Sequence, residues 1–94
     1  MTKYITIDKL EFIERRGFGA QAYKQAVHQF PNGWKASVLR FGEDDYEVAF
    51  VHPVTGLTER TDFGAVQQYL NAMQVNFCLR DIAELDENGK LPQD

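Results

Sequence analysis

Cysteine, proline and long apolar runs are scarce in this chain, and each scarcity excludes something. The 94 residues hold one cysteine, Cys78, and three prolines. A lone thiol rules out an internal disulfide framework and leaves no cysteine pair to hold zinc, so a reducing cytoplasm is the compartment this composition suits. No stretch approaches the ~18 consecutive apolar residues of a spanning helix, and the first eight residues lack the apolar core of a signal peptide. Neither membrane insertion nor secretion is therefore expected.

Positive charge is also in short supply. Ten Lys and Arg stand against fourteen Asp and Glu, a formal net charge of −4. Clustered Lys and Arg supply nonspecific nucleic-acid affinity, so a nucleic acid is a disfavoured partner, although a local basic patch would still permit one. There is no internal repeat, low-complexity tract or Pro/Ser-rich linker. The run Gly17-Phe18-Gly19-Ala20 has two glycines but lacks the third glycine and the Lys-Ser/Thr of a nucleotide loop, and reads as a connector.

What is present is an ordinary globular composition, 44% hydrophobic and 26% charged. A chain of this length holds one core. Residues 1–86 are expected to form a single domain and residues 87–94 a flexible tail.

The clearest structural signal lies in residues 23–51, where three apolar-rich segments are separated by Pro31-Asn32-Gly33 and Gly42-Glu43-Asp44-Asp45. They predict an antiparallel meander. A three-residue Pro-Asn-Gly loop places Phe30 opposite Trp34 and pairs His28 with Ala36, Ala26 with Val38 and Lys24 with Arg40. With Phe41 facing Tyr46 across the acidic loop, Arg40 comes opposite Glu47, Leu39 opposite Val48 and Ser37 opposite Phe50. One face then carries Tyr23, Val27, Leu39, Phe41, Tyr46, Val48 and Phe50, and is expected beneath a helix. The other face, with Phe30, Trp34, Lys24, Arg40, Glu47 and His28, becomes the candidate interaction surface.

The covering helix announces its own start. Asn71 stands three residues before Gln74, a capping pair, and Val75, Cys78, Leu79, Ile82 and Leu85 recur at offsets of three and four, which predicts a helix over 72–85. Upstream, Asp8 and Glu11 suggest a second capping box and a short N-terminal helix ending at Arg16, with an edge strand over 4–7 as the other reading. Residues 62–70 suit a short helix or turn, and 58–61 a short strand. The predicted fold class is α+β: an antiparallel meander of three to four strands, a C-terminal helix on one face and a short N-terminal helix.

Chemistry-bearing residues do not cluster. His28, His52 and Cys78 are isolated from one another, with Cys78 on the apolar stripe, so no metal site is expected. Glu43, Asp44, Asp45 and Glu47 read as a solvated turn. No catalytic residue and no cofactor is assigned. Arg40 and Glu47 look like a cross-strand ion pair that reads either as a plain surface pair or, with Lys24, as the polar rim of a contact patch centred on Trp34, while Trp34 and Phe30 read equally as a cross-strand aromatic pair capping the core.

Three stretches are similar to small bacteriophage and prophage proteins: Phe30-Pro31-Asn32-Gly33 followed by Ala36-Ser37-Val38 and Arg40; Tyr46-Glu47-Val48-Ala49; and Tyr69-Leu70-Asn71 with Val75. The family pattern is F-P-N-G-x-x-x-S-V-x-R, a Y-E-L/V-A strand and a Y-L-T-x-x-x-V segment, and this chain has Asn71 where the pattern has Thr. The resemblance covers about residues 23–85. It implies a short meander followed by a helix and a mobile-element origin, and carries no catalytic residue. Together with the missing chemistry it leads to the expectation of a non-enzymatic accessory protein that binds an unidentified host or phage protein and inhibits or modulates a host factor; the alternative is a nucleic-acid-binding module that uses exposed sheet aromatics and basic residues. A homodimer is a further expectation, from the second apolar face or an unpaired edge.

Overall fold

The computed structural model describes residues 4–16, 22–56 and 66–92. The connector Gly17-Phe18-Gly19-Ala20 and the strand expected over 58–61 lie outside them. Five strands, β1 (Ile13–Arg16), β2 (Ala22–Gln29), β3 (Lys35–Gly42), β4 (Asp45–Val51) and β5 (Val66–Leu70), form one antiparallel sheet in sequence order. Among the described residues one α-helix, α1 (Ala72–Glu84), follows. The α+β class holds. The strand count rises to five, and the expected N-terminal helix is instead a 3₁₀ turn, Ile7–Lys9, followed by β1. Four residues of β1 include Glu14, Arg15 and Arg16, whose pairing partners on β2 only tertiary structure supplies.

The first hairpin has the register that its turn dictates. Phe30 and Trp34 close the loop through Phe30 N–H to Trp34 O at 2.8 Å, and Lys24↔Arg40 through His28↔Ala36 follow. Gly33, at φ +91°, takes the left-handed position, and a Cβ there would lie 3.0 Å from Pro53. That closeness packs the hairpin tip against the chain leaving β4.

The second hairpin departs from expectation by one residue. Gly42 pairs with Asp45 at the tip, then the register shifts at Phe41, so that Arg40 faces Tyr46, Leu39 faces Glu47, Val38 faces Val48 and Ala36 faces Phe50. A one-residue slip in a strand carries every side chain to the other face. Tyr46, Val48 and Phe50 therefore join Ala26, Phe30, Trp34, Ala36 and Val38 in the core, and Val27, Leu39 and Phe41 turn away from it.

The helix covers the face so assembled. Val75, Leu79, Ile82 and Leu85 are buried against the sheet, each contributing on the order of 1.5–3 kcal/mol of burial. Ala36, small and fully buried, stands opposite Phe50 on the face that α1 covers. Asn71 accepts from Gln74 N–H at 2.8 Å while Gln74 Oε1 accepts from Asn71 N–H at 2.8 Å, a complete capping box.

Both hairpin tips also hold this helix. Asp44 Oδ1 accepts from Ala72 N–H at 3.1 Å at its start. Asn32 Nδ2 donates to Ile82 O and Leu85 O at its end. The 3₁₀ turn docks alongside, with Ile7 N–H donating to Asn76 Oδ1 at 2.7 Å and Tyr4 OH donating to Glu84.

Candidate functional site

Among the described residues, one face of the sheet lies beneath α1 and the other has no element packed on it. On the open face, registered partners run across the strands as Ile13, Gln25, Leu39 and Glu47, and one step along as Val27, Ser37, Ala49 and Val66. Ile13 is 58% exposed, Val27 61%, Phe41 51% and Val66 41%. Tyr23 and Phe41 hold their rings 6.0 Å apart at a 40° tilt beside Arg15, and Gln25 donates to Ser37 Oγ at 2.9 Å. The result is an apolar field with polar groups set into it. Large exposed apolar patches on a protein surface are candidates for interaction surfaces.

The interaction surface expected from sequence is displaced by the register shift. Trp34 is 1% exposed and Phe30 is buried too, so neither can meet a partner. Trp34 is instead a core anchor whose Nε1–H donates to Asp86 O at 3.0 Å. His28 is half-buried and meets Phe30 edge to face at 4.7 Å. Lys24 lies exposed between Glu14 and Arg40 on the helix side of the sheet.

Arg40 and Glu47 do not pair. Arg40 faces Tyr46, holds its guanidinium 5.7 Å from that ring and donates to Gly42 O at 3.0 Å. Glu47 stands on the open face opposite Leu39. Of the six expected residues, the structure leaves only Glu47 in the field where a partner has access. Sequence reasoning missed Ile13, Arg15 and Val66 as sheet residues. The five residues of β5, Val66-Gln67-Gln68-Tyr69-Leu70, carry no apolar/polar alternation, so periodicity gave no signal for this strand.

The remaining reactive groups have structural work. His52 Nδ1 accepts from Val54 N–H at 3.0 Å and Thr55 N–H at 3.3 Å, so its proton sits on Nε2, which donates to Glu87 O at 2.8 Å. This contact and the Trp34 bond tie residues 86–90 down as a turn, closed by Asp86 N–H to Lys90 O at 2.9 Å. Burial, reinforced by the Asp81 carboxylate, pushes the Cys78 thiol up to about 11, far from a nucleophile at neutral pH. Burial also raises Asp81, and the bond to Glu84 raises the Tyr4 phenol.

Two clefts flank Phe41. One of about 380 Å³ is lined by Glu14, Tyr23, Lys24, Arg40 and Glu43, and one of about 510 Å³ by Asp45, Glu47, Gln68 and Tyr69. Neither lining contains a Ser, Thr, Cys or His that a base would activate. Among the described residues, no three His, Cys, Asp or Glu side chains gather to hold a metal ion, and no helix is long and apolar enough to cross a membrane.

Comparison with known proteins adds no relative: no protein-family model, no curated protein and no solved structure matches the chain.

Proposed function

We propose that this chain is a non-enzymatic accessory protein of a phage or prophage that acts in the host cytoplasm by protein–protein interaction, modulating a host factor, with the open face of its sheet as the binding surface. The observation that carries this reading is the one-sided cover of the sheet, which leaves Ile13, Val27, Phe41 and Val66 exposed while α1 buries the opposite face. The mobile-element origin is supported by the F-P-N-G and Y-E-V-A stretches. A second reading, a module for single-stranded nucleic acid, draws on the Tyr23–Phe41 ring pair beside Arg15, since exposed sheet aromatics stack bases. The net charge of −4 weighs against it.

Capture from a bacterial lysate with the tagged chain, with and without nuclease, separates the readings when run beside a Val27→Asp variant. A stoichiometric protein that survives nuclease and is lost with Val27→Asp supports the protein-binding reading. Retention that disappears with nuclease supports the second. A protein retained equally by both chains removes the open face from the argument.

A further inference from the structure

The edges of the sheet discourage strand addition. β1 is four residues long and three of them are charged. β5 is bent by a bulge in which Gln68 and Tyr69 oppose Glu47, with Tyr69 at φ 60°. Short, charged and bulged edges resist pairing with another chain. The open face remains, about 24 Å across five strands and about 26 Å along an eight-residue one, on the order of 500–600 Å² per copy. Two such faces clear the roughly 1,000 Å² total that marks a specific interface.

We propose that this face pairs with the same face of a second copy of this chain, in a two-fold dimer that sets Arg15 of each copy against Glu47 of the other. The proposal rests on the open face being a protein-binding surface and assigns that surface to a second copy. Arg15 stands on β1 opposite Tyr23, and Glu47 on β4 opposite Leu39. Three strand spacings, about 14 Å, part them within one sheet, too far for an internal pair. The face thus has a basic border and an acidic border that its own chain leaves apart.

Charge selects one way of closing the pair. A two-fold axis parallel to the strands between β2 and β3 lays β1 over β4 and β2 over β3 of the second copy. Arg15 then arrives between Asp45 and Glu47, twice per dimer, and Tyr23 lies over Phe41. An axis across the strands through the Leu39–Glu47 row instead lays each strand over itself and brings Glu47 onto Glu47, which like-charge repulsion disfavours. Aligned sheets pack about 10 Å apart, a gap that Val27, Leu39 and Phe41 fill.

Light scattering and sedimentation equilibrium on the full chain test this. The expected mass is twice the 10.8 kDa of one chain. Arg15→Glu and Glu47→Arg should each weaken the dimer at least about tenfold, and the chain carrying both changes should recover to within about threefold of the original. Circular dichroism verifies that each variant stays folded, and the recovery of the double variant distinguishes lost pairing from lost folding. A wild-type chain that stays monomeric to about 500 μM overturns the proposal, as does a dimer indifferent to the charge changes. Monomeric behaviour combined with a captured protein that Val27→Asp releases would sink the dimer while leaving the protein-binding reading in place.

Discussion

The side-chain amide of Asn32 donates to the backbone carbonyl of Ile82 at 2.8 Å, fastening the tip of the first hairpin to the C-terminal end of α1. The same amide reaches Leu85 O at 3.1 Å, and Asn32 Oδ1 accepts from Trp34 N–H at 3.0 Å. Asn32→Ala should lower stability by about 1–2 kcal/mol, read as a fall in the urea midpoint. Asn32→Asp should do worse, because it sets a carboxylate against helix carbonyls at the negative end of the helix dipole. If the two variants melt with the wild type, the turn does not hold the helix.

Trp34 belongs to the core and not to a contact surface, so its removal should unfold and not merely unbind. Trp34→Ala should cost about 3–5 kcal/mol. Trp34→Phe keeps much of the volume but forfeits the bond to Asp86 O, a loss of about 1–2 kcal/mol. Thermal melts monitored by circular dichroism decide this. A Trp34→Ala chain with an unchanged midpoint would contradict the burial.

Tyr69 is 87% exposed at φ 60°, a backbone region that bulky residues occupy only under strain. Little packing is lost on truncation, so Tyr69→Gly should stabilise the fold by roughly 0.5–1 kcal/mol. A lowered midpoint would mean that the ring contributes more than its exposure suggests.

Substitutions on the open face should separate binding from stability. Val27→Asp exchanges a mostly exposed side chain and should shift folding by no more than about 0.5–1 kcal/mol. Association through the face should fall at least about tenfold. Both quantities come from one purified variant, by denaturation and by light scattering, and an unfolded Val27→Asp chain would show that the face is packed.

Cys78 should be slow to react and should make the fold alkali-sensitive. Its ordinary thiol value of 9.0 is raised in the folded chain to about 11. The protonated thiol is thus favoured by folding. This contribution is fully present below pH 9, is lost as the unfolded thiol ionises, and is gone once pH passes about 11. Iodoacetamide should label the native chain at pH 8 far more slowly than the urea-unfolded chain, and Cys78→Ala should flatten the fall in stability between pH 9 and 11. Equal labelling rates would refute the burial argument.

Local signals carried much of this fold. Pro31-Asn32-Gly33 determines the first hairpin register because a short turn leaves few ways to close, and Asn71 with Gln74 marks the start of α1 because a capping pair satisfies donors that the helix itself cannot. The charge balance and the apolar stripe of α1 are likewise properties of the sequence alone. Tertiary structure decided which face the helix covers. The bulge at Phe41 moves Tyr46, Val48 and Phe50 to the side of Trp34, Ala36 and Val38, and nothing within the Gly42-Glu43-Asp44-Asp45 turn announces that extra residue. Packing selects it: Val38, Val48 and Phe50 are buried together on one side, whereas Gln25, Ser37 and Glu47 keep their polar groups on the other. A one-residue difference in pairing therefore turned the expected contact surface into the core and left the opposite face exposed.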